Sequence, residues 1–307
     1  MSPEPTSPVT AHITPATLLS PAIQAWQIFL HDQGRSPHTI KAFYADMLLL
    51  ANYLPADAKL GSITTKDLTT FFQWLQTKRG VPCSPKSLSR RITAIKAFFR
   101  WLHQGGVLVV DPAEKVLQQS VISPLPQVLS EEEVVRVLTV AESYRHVKKA
   151  DARAYTLLAL LLSSAIKKGE CLSMSLNHLD LEASGGPILF VRYPSARNRY
   201  KERKIAIPAE WIQPYQEYLA QYQPGEQVFP WSQRRLEYLL EDLGKEANLD
   251  KHLSFDMCRW TCALMDWKKG MEPEKIRQKL GVSKIQWREI NLKLRQLAGE
   301  KIEVVSK

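Results

Sequence analysis

The sequence predicts a mainly α-helical protein of two domains, the second of which contains a small β-hairpin. Three observations lead to this fold class. The chain has 307 residues, which suggests two domains at about 100–200 residues each. Apolar residues recur at spacings of three and four along most of the chain, the period of an amphipathic helix. Only residues 188–192 and 204–207 have the branched and aromatic composition of neighbouring strands.

Proline and polar residues predict the domain boundaries. Residues 1–20 contain four prolines among Ser, Thr and Ala, which predicts a flexible leader. A helical domain is expected over 21–117, and a linker containing Pro124 and Pro126 over 118–128. The second domain is predicted at 129–298, and a C-terminal tail at 299–307.

Four helices are predicted in the first domain, and capping residues mark where three of them begin. Ile23, Trp26 and Leu30 form the apolar stripe of the first helix. Ser36-Pro37 predicts the start of the second, because serine caps a helix and proline fits its first turn. Thr64 with Asp67 opens the third.

The fourth predicted helix, from Ser84-Pro85 to about His103, is strongly basic. It contains five basic residues and no acidic one. Its predicted apolar stripe is narrow: Leu88, Ile92, Ile95, Phe99 and Leu102. The opposite side carries three cations and two small residues: Lys86, Arg90 and Arg100, with Thr93 and Ala97 between them. Because no acid balances the bases, we predict a DNA-facing helix, with a solvated outer surface as the alternative.

The second domain is predicted to begin with a capping box at Ser130–Glu133. A long helix is expected over about 152–176, followed by the hairpin and its basic connection, residues 194–203. Further helices are predicted near 209–222, 232–247, 256–270, 272–280 and 284–298.

Charge and composition restrict the class of partner. The formal net charge of +10 favours a polyanion, usually nucleic acid. No apolar segment is long enough to cross a membrane and no secretory signal is visible, so we expect a cytoplasmic protein associated with the nucleoid. The four cysteines lack zinc-site spacing. They are predicted to be buried thiols, and no metal or cofactor is expected.

Three stretches in a fixed order carry a resemblance to a known family. They are Gly34-Arg-Ser-Pro-His-Thr-Ile40, Ser87–Leu102, and Leu125-Pro-Gln-Val-Leu-Ser-Glu-Glu-Glu133. With them the chain resembles the tyrosine recombinases (phage integrases) over about Pro21–Leu297. The resemblance implies a SAM-like helical core-binding domain and a mixed α+β catalytic domain, which together clamp duplex DNA. In that family two arginines, a lysine and histidines surround the scissile phosphate, and a tyrosine attacks it.

The residues at the family's catalytic positions depart from its pattern. Ser164-Ala-Ile-Lys-Lys-Gly-Glu170 stands where the family has Thr-Gly-Leu-Arg-x-Ser-Glu, so Lys167 replaces the first arginine. Lysine keeps the charge but loses the two-pronged grip on phosphate. In the His-x-x-Arg motif Arg259 is retained and Asp256 replaces the histidine. The hairpin lysine aligns in more than one way, and one alignment puts Asn198 at its position.

The end of the chain lacks the family's nucleophile. Val282 replaces the later histidine, after Leu280-Gly281, and Asn291 stands at the expected tyrosine position. Tyr238 is the last tyrosine, so no shift of the alignment supplies one. Ser283 is a conceivable nucleophile, but no nearby base would activate it.

We therefore expect a DNA-binding protein that clamps duplex DNA without cleaving it. The alternatives are an atypical active recombinase in DNA integration or transposition, and a helical interaction scaffold. Besides double-stranded DNA, the expected partners are a second copy or an active recombinase in an oligomer, and no membrane. The basic hairpin and the retained arginine add candidate DNA contacts to those on the fourth helix: Arg197, Arg199, Lys201, Arg203 and Arg259.

Overall fold

The computed structural model describes residues 12–118 and 124–300. The chain divides into two compact units, residues 1–123 and 124–307. Parts of the predicted leader (1–11), linker (119–123) and tail (301–307) lie outside the described residues. Thr17 and Leu19 pair with backbone groups of residues 58–60, so the first unit includes residues that the sequence assigned to the leader.

Residues 12–118 of the first unit form four α-helices. They are α1 (Leu19–Asp32), α2 (Pro37–Tyr53), α3 (Thr65–Thr77) and α4 (Pro85–Gln104). The predicted caps are present: Ser36 accepts a hydrogen bond from the Thr39 amide, and Ser84 accepts one from the Ser87 amide. Thr64 and Asp67 form a reciprocal capping box at the start of α3. Each cap satisfies amides that the first helical turn leaves without a partner.

Aromatic packing in this unit makes the buried face of α4 wider than the narrow stripe that the sequence predicted. Trp101 is buried and lies 5.5 Å from Phe29 of α1, measured between ring centroids. Phe98 is also buried and meets Trp26 edge-on at 5.4 Å. These rings extend the apolar face beyond the stripe because α4 packs against α2 and α3 and its rings also contact those of α1.

The second unit contains eight helices among its described residues. They are α5 (Glu131–Ser143), α6 (Arg153–Ser164), α7 (Lys168–Leu172), α8 (Ile212–Tyr222), α9 (Gln233–Glu246), α10 (Phe255–Lys268), α11 (Pro273–Leu280) and α12 (Lys284–Leu297). The core centres on α6, which packs against α5, α8, α9 and α10. A smaller apolar cluster joins the end of α10 to α11 and α12.

The long helix predicted over 152–176 is wrong, because the chain breaks between α6 and α7. Ala165 adopts a left-handed conformation with φ of 53° and ends α6. The Lys167 amide then bonds the Glu170 carboxylate, which caps the short helix α7. Apolar residues on both sides of the break hid it, since their spacing stays helical.

A three-stranded antiparallel sheet lies between α7 and α8 in the chain. Its strands are β1 (Leu179–Asp180), β2 (Ile188–Val191) and β3 (Arg203–Ala206), in that order across the sheet. Leu189 pairs with Ile205 and Val191 with Arg203, so the predicted hairpin is present. A short 3-10 helix, residues 196–201, connects β2 to β3. Strand β1 has two residues, too few for its pattern to predict it.

Among the helices of residues 12–118 and 124–300, none is both long and apolar enough to cross a membrane.

Candidate nucleic-acid interface and phosphate site

The basic face of α4 is partly neutralised by an acid on another helix, which corrects the sequence interpretation. Asp46 of α2 is buried, and its carboxylate lies 2.6 Å from Arg90 Nη1 and 3.6 Å from Arg91 Nε. Arg90 also donates to the carbonyl of Ala42 at 3.2 Å. The prediction that no acid balances these bases is therefore wrong. The sequence of α4 alone does not show that α2 packs against it and brings Asp46 to Arg90. Arg90 stabilises the packing of α2 and α4.

Two exposed cations on α4 remain without such a partner. Lys96 is not one of them, because it donates to the carbonyls of Glu114 and Val116, at 3.1 and 2.8 Å. Thr93 accepts a hydrogen bond from the side chain of Gln118 at 2.8 Å. Within residues 12–118, Lys86 and Arg100 have no acidic group within 4.0 Å and are exposed. These two side chains can contact a polyanion without giving up an ion pair.

In the second unit, three cations from separate elements meet at the end of α11. We call Lys167, Arg203 and Arg259 the cationic cluster. Arg203 Nε donates to the Lys279 carbonyl at 2.6 Å, and Arg259 Nη2 donates to the Leu280 carbonyl at 2.6 Å. Lys167 Nζ lies 3.4 Å from the Gly281 carbonyl. Successive carbonyls at a helix C-terminus carry partial negative charge, so they attract the cluster as an anion would.

Two left-handed residues allow this convergence. Ala165 stands where the resembled family has glycine, and its carbonyl accepts a hydrogen bond from Arg259. Gly281 ends α11 with φ of 58°, and a Cβ there would lie 2.5 Å from Arg203 Nη1. Only glycine fits the second position, because it relieves both the conformational strain and the contact.

Glu170 is the counter-ion of the cluster. Its side chain and that of Arg203 are 3% and 7% exposed, and two hydrogen bonds of 2.8 and 3.0 Å join them. The Tyr193 hydroxyl also donates to Glu170. Burial alone would raise the pKa of Glu170, but Arg203 and these donors hold the pKa below its ordinary value. Arg203 was predicted to contact DNA; its guanidinium is instead buried against Glu170, because β3 places it beside α7.

Burial and neighbouring positive charges lower the pKa of Lys167 and of Arg259. Burial lowers the pKa of Arg259 to about 10, and the charge of Arg203 adds to the effect. Burial also lowers the pKa of Lys167 to about 8, with contributions from Arg259, Arg203 and Lys201. Lys167 is thus a cation at neutral pH that loses its proton close to the physiological range.

The hairpin connection joins Lys201 and Asn198 next to the cluster. Lys201 Nζ donates to the Asn198 side chain at 2.8 Å, and the Lys201 carbonyl accepts a hydrogen bond from Arg203 Nη1 at 3.1 Å. The alignment that puts Asn198 at the family's lysine position stays a prediction. Arg197 and Arg199 are exposed on the same 3-10 helix.

The remaining family positions differ in how they relate to the cluster. Asp256 is exposed in the first turn of α10 and lines a cleft of about 1160 Å³ together with Lys167 and Arg259. Val282 is half-buried directly after α11. Asn291 is half-buried on α12, and no hydrogen bond among the described residues links it to the cluster.

Sequence reasoning missed the acid that organises this site. Glu170 lies three residues after Lys167, which is the spacing of a capping box, and that spacing was the available signal. Tyr193 and the α11 carbonyls gave no signal, because they meet the cluster only through the tertiary fold.

All four cysteines are unpaired, and Cys171, Cys258 and Cys262 are buried, while Cys83 is partly exposed. In the part of the chain that the structure describes, no three His, Cys, Asp or Glu side chains are grouped as metal ligands.

Residues 23–106 match the N-terminal SAM-like domain of phage integrases, and residues 127–290, more than half of the chain, match the phage integrase family. The chain therefore belongs to the phage integrase family.

Its curated relatives are tyrosine recombinases. Tyrosine recombinase XerC of Myxococcus xanthus is 29% identical over 208 residues, which are 66% of this chain and 64% of the relative. The chain thus spans slightly less than two thirds of that protein. XerC of Xylella fastidiosa (strain M23) is 24% identical over 254 residues, covering 80% of this chain and 82% of the relative.

Solved structures confirm the predicted fold class. A lambda integrase dimer bound to a COC′ core site superposes with a TM-score of 0.71 at 16% identity, covering 94% of this chain and 81% of that one. The XerH site-specific recombinase bound to difH substrate superposes with a TM-score of 0.67 at 16% identity, covering 93% of this chain and 81% of that one.

Proposed function

We propose that this protein binds duplex DNA in the manner of a tyrosine recombinase but does not cleave it. The absence of cleavage is supported by one observation, the missing nucleophile. Asn291 of α12 stands at the family's tyrosine position, and no tyrosine follows Tyr238. Cleavage in this family requires an in-line oxygen nucleophile, which an asparagine amide does not supply.

The geometry of the cationic cluster supports the same proposal. Lys167 replaces a guanidinium, so the fork that grips two phosphate oxygens is lost. Asp256 introduces a carboxylate into the cleft where phosphate would lie, and it repels an anion. Val282 offers no proton to a leaving oxygen. Lys167 and Arg259, which line this cleft, are the cations left there to bind a phosphate.

DNA binding is supported by exposed cations in each unit. Lys86 and Arg100 project from α4, and Arg197 and Arg199 project from the hairpin. Contacts of this kind act mainly on phosphates, so affinity should fall steeply with salt and depend little on sequence. Arg100 is our candidate for a base contact, since arginine can donate two bonds to guanine.

The test begins with genomic DNA fragments from the organism that encodes the protein, captured at two salt concentrations and sequenced. A fragment that binds is then titrated by fluorescence anisotropy. Lys86→Ala with Arg100→Ala should weaken binding, and the loss of the Lys86 phosphate contact should reduce the slope of log affinity against log salt by about one. The matched control is Lys66→Ala in α3 with Lys78→Ala directly after α3, which removes the same charge from another part of the first unit.

Three outcomes separate the candidate functions. Binding without a covalent species on a denaturing gel supports the proposal. A covalent protein–DNA adduct would make the protein an atypical active recombinase. Failure to retain any fragment at low salt would favour an interaction scaffold.

A further inference from the structure

A groove between β3, an edge strand of the sheet, and α11 has a volume of about 630 Å³. It shares no lining residue with the cleft that contains Lys167, Arg259 and Asp256. The connection between β2 and β3 contributes Tyr200 and Lys201 to its wall. A groove of this size can hold a small molecule or one nucleotide.

The groove is strongly cationic. Its lining includes six basic side chains and one acidic one, Glu202: Lys201, Arg203, Lys204, Lys275, Arg277 and Lys279. Four of the six bases have acidic partners elsewhere, namely Glu170, Glu272, Glu274 and Asp266. Among the described residues, Lys201 and Lys204 have no acidic group within 4.0 Å. These two ammonium groups are therefore the ones that can neutralise a bound anion.

Tyr200 adds an aromatic surface at the mouth of the groove. Tyr200 is 70% exposed, which is a high value for a residue with a large aromatic ring. The ammonium of Lys201 lies 5.2 Å from the centre of the ring, so charge and ring face are adjacent. Met271 and Val282 add apolar side chains to the lining of the groove. An aromatic ring, cations and apolar lining together match the three parts of a nucleotide: base, phosphate and sugar.

We propose that this groove binds one unpaired nucleotide of DNA, with its base stacked on Tyr200 and its phosphate held by Lys201 and Lys204. The nucleotide must be unpaired because the faces of a base inside a duplex are covered by its neighbours. The inference rests on the proposed DNA binding and names its preferred substrate: duplex DNA with a single-stranded extension or an extruded base.

The experiment compares a blunt duplex with the same duplex extended by a short single strand that carries 2-aminopurine. Anisotropy gives affinity, and 2-aminopurine fluorescence reports stacking. The wild-type protein should bind the extended duplex about 5- to 150-fold more tightly, the range that base stacking on an aromatic side chain provides. Tyr200→Ala should abolish this preference and the fluorescence quenching while leaving affinity for the blunt duplex unchanged. Tyr200→Phe should retain both.

Val147→Ala, which shortens an exposed apolar side chain elsewhere in the same unit, is the matched control and should behave as the wild type. Equal affinity of the wild type for both DNAs overturns the nucleotide site and leaves the proposed function standing. Loss of binding to both DNAs by Tyr200→Ala also overturns it, because Tyr200 would then contact the duplex. Absence of wild-type binding to either DNA overturns both proposals together.

Discussion

Glu170→Gln should destabilise the second unit much more than a surface charge change does. The substitution keeps the shape of the side chain and one acceptor oxygen, but it removes the charge that faces Arg203. Both partners are almost fully buried, at 3% and 7% exposure, so water cannot replace the lost interaction. The guanidinium of Arg203 would remain in place as an uncompensated buried cation.

The expected cost follows from that burial. Removing one partner of a buried ion pair costs about 3–5 kcal/mol. For a unit of this size, each kcal/mol lowers the unfolding temperature by about 2–4 °C. The unfolding transition of residues 124–307 should therefore move down by about 6–20 °C at neutral pH.

Circular dichroism with temperature and with urea measures the change, and two further variants control it. Glu237→Gln breaks the half-exposed pair with Lys168 and should cost about 0.2–1 kcal/mol. The double variant Glu170→Gln with Arg203→Met removes both charges and should recover part of the loss. Recovery is incomplete because the Lys279 carbonyl loses its donor.

The effect of Glu170 also has a direction in pH. Its pKa is lowered in the folded protein, so its stabilising contribution is present above the unfolded value of about 4.5 and is lost as pH falls through the folded pKa. The difference between wild type and Glu170→Gln should therefore shrink in acid. If Glu170→Gln lowers the free energy of unfolding no more than Glu237→Gln does at neutral pH, the buried pair does not hold the hairpin to α7.

Three more outcomes are expected. DNA affinity of the wild type should fall as pH rises through about 8, where Lys167 loses its charge, and Lys167→Arg should remove this step in anisotropy titrations. Asn291→Tyr alone should yield no covalent adduct on a denaturing gel, because other members of the catalytic unit also differ. Gly281→Ala should lower the unfolding temperature more than Gly270→Ala, since both strain the backbone but only the first contacts Arg203; equal shifts would contradict the packing argument.

Most of the fold could be predicted because its signals are local. The capping boxes at Thr64–Asp67 and Ser130–Glu133 and the helical spacing of apolar residues depend on residues a few positions apart. The break at Ala165 could not be predicted in this way. A left-handed alanine is unfavourable locally and is retained because Arg259 holds its carbonyl.

The candidate site also has features that local sequence predicts and features that depend on the tertiary fold. The order of the motifs predicts that Lys167, Asp256, Val282 and Asn291 stand where the family has other residues, and this prediction needs no coordinates. The contacts of the cations, by contrast, follow from the tertiary structure. It pairs Arg90 with Asp46 and buries Arg203 against Glu170.

The physical reason is the range of the interactions. Capping, helical periodicity and net charge are properties of neighbouring residues or of composition, so the fold class and the basic character of this protein are predictable from its sequence. The strength of a charge depends on its burial and on partners from distant parts of the chain. The basic residues that stabilise the fold can therefore be distinguished from those that remain exposed only when the three-dimensional contacts are known.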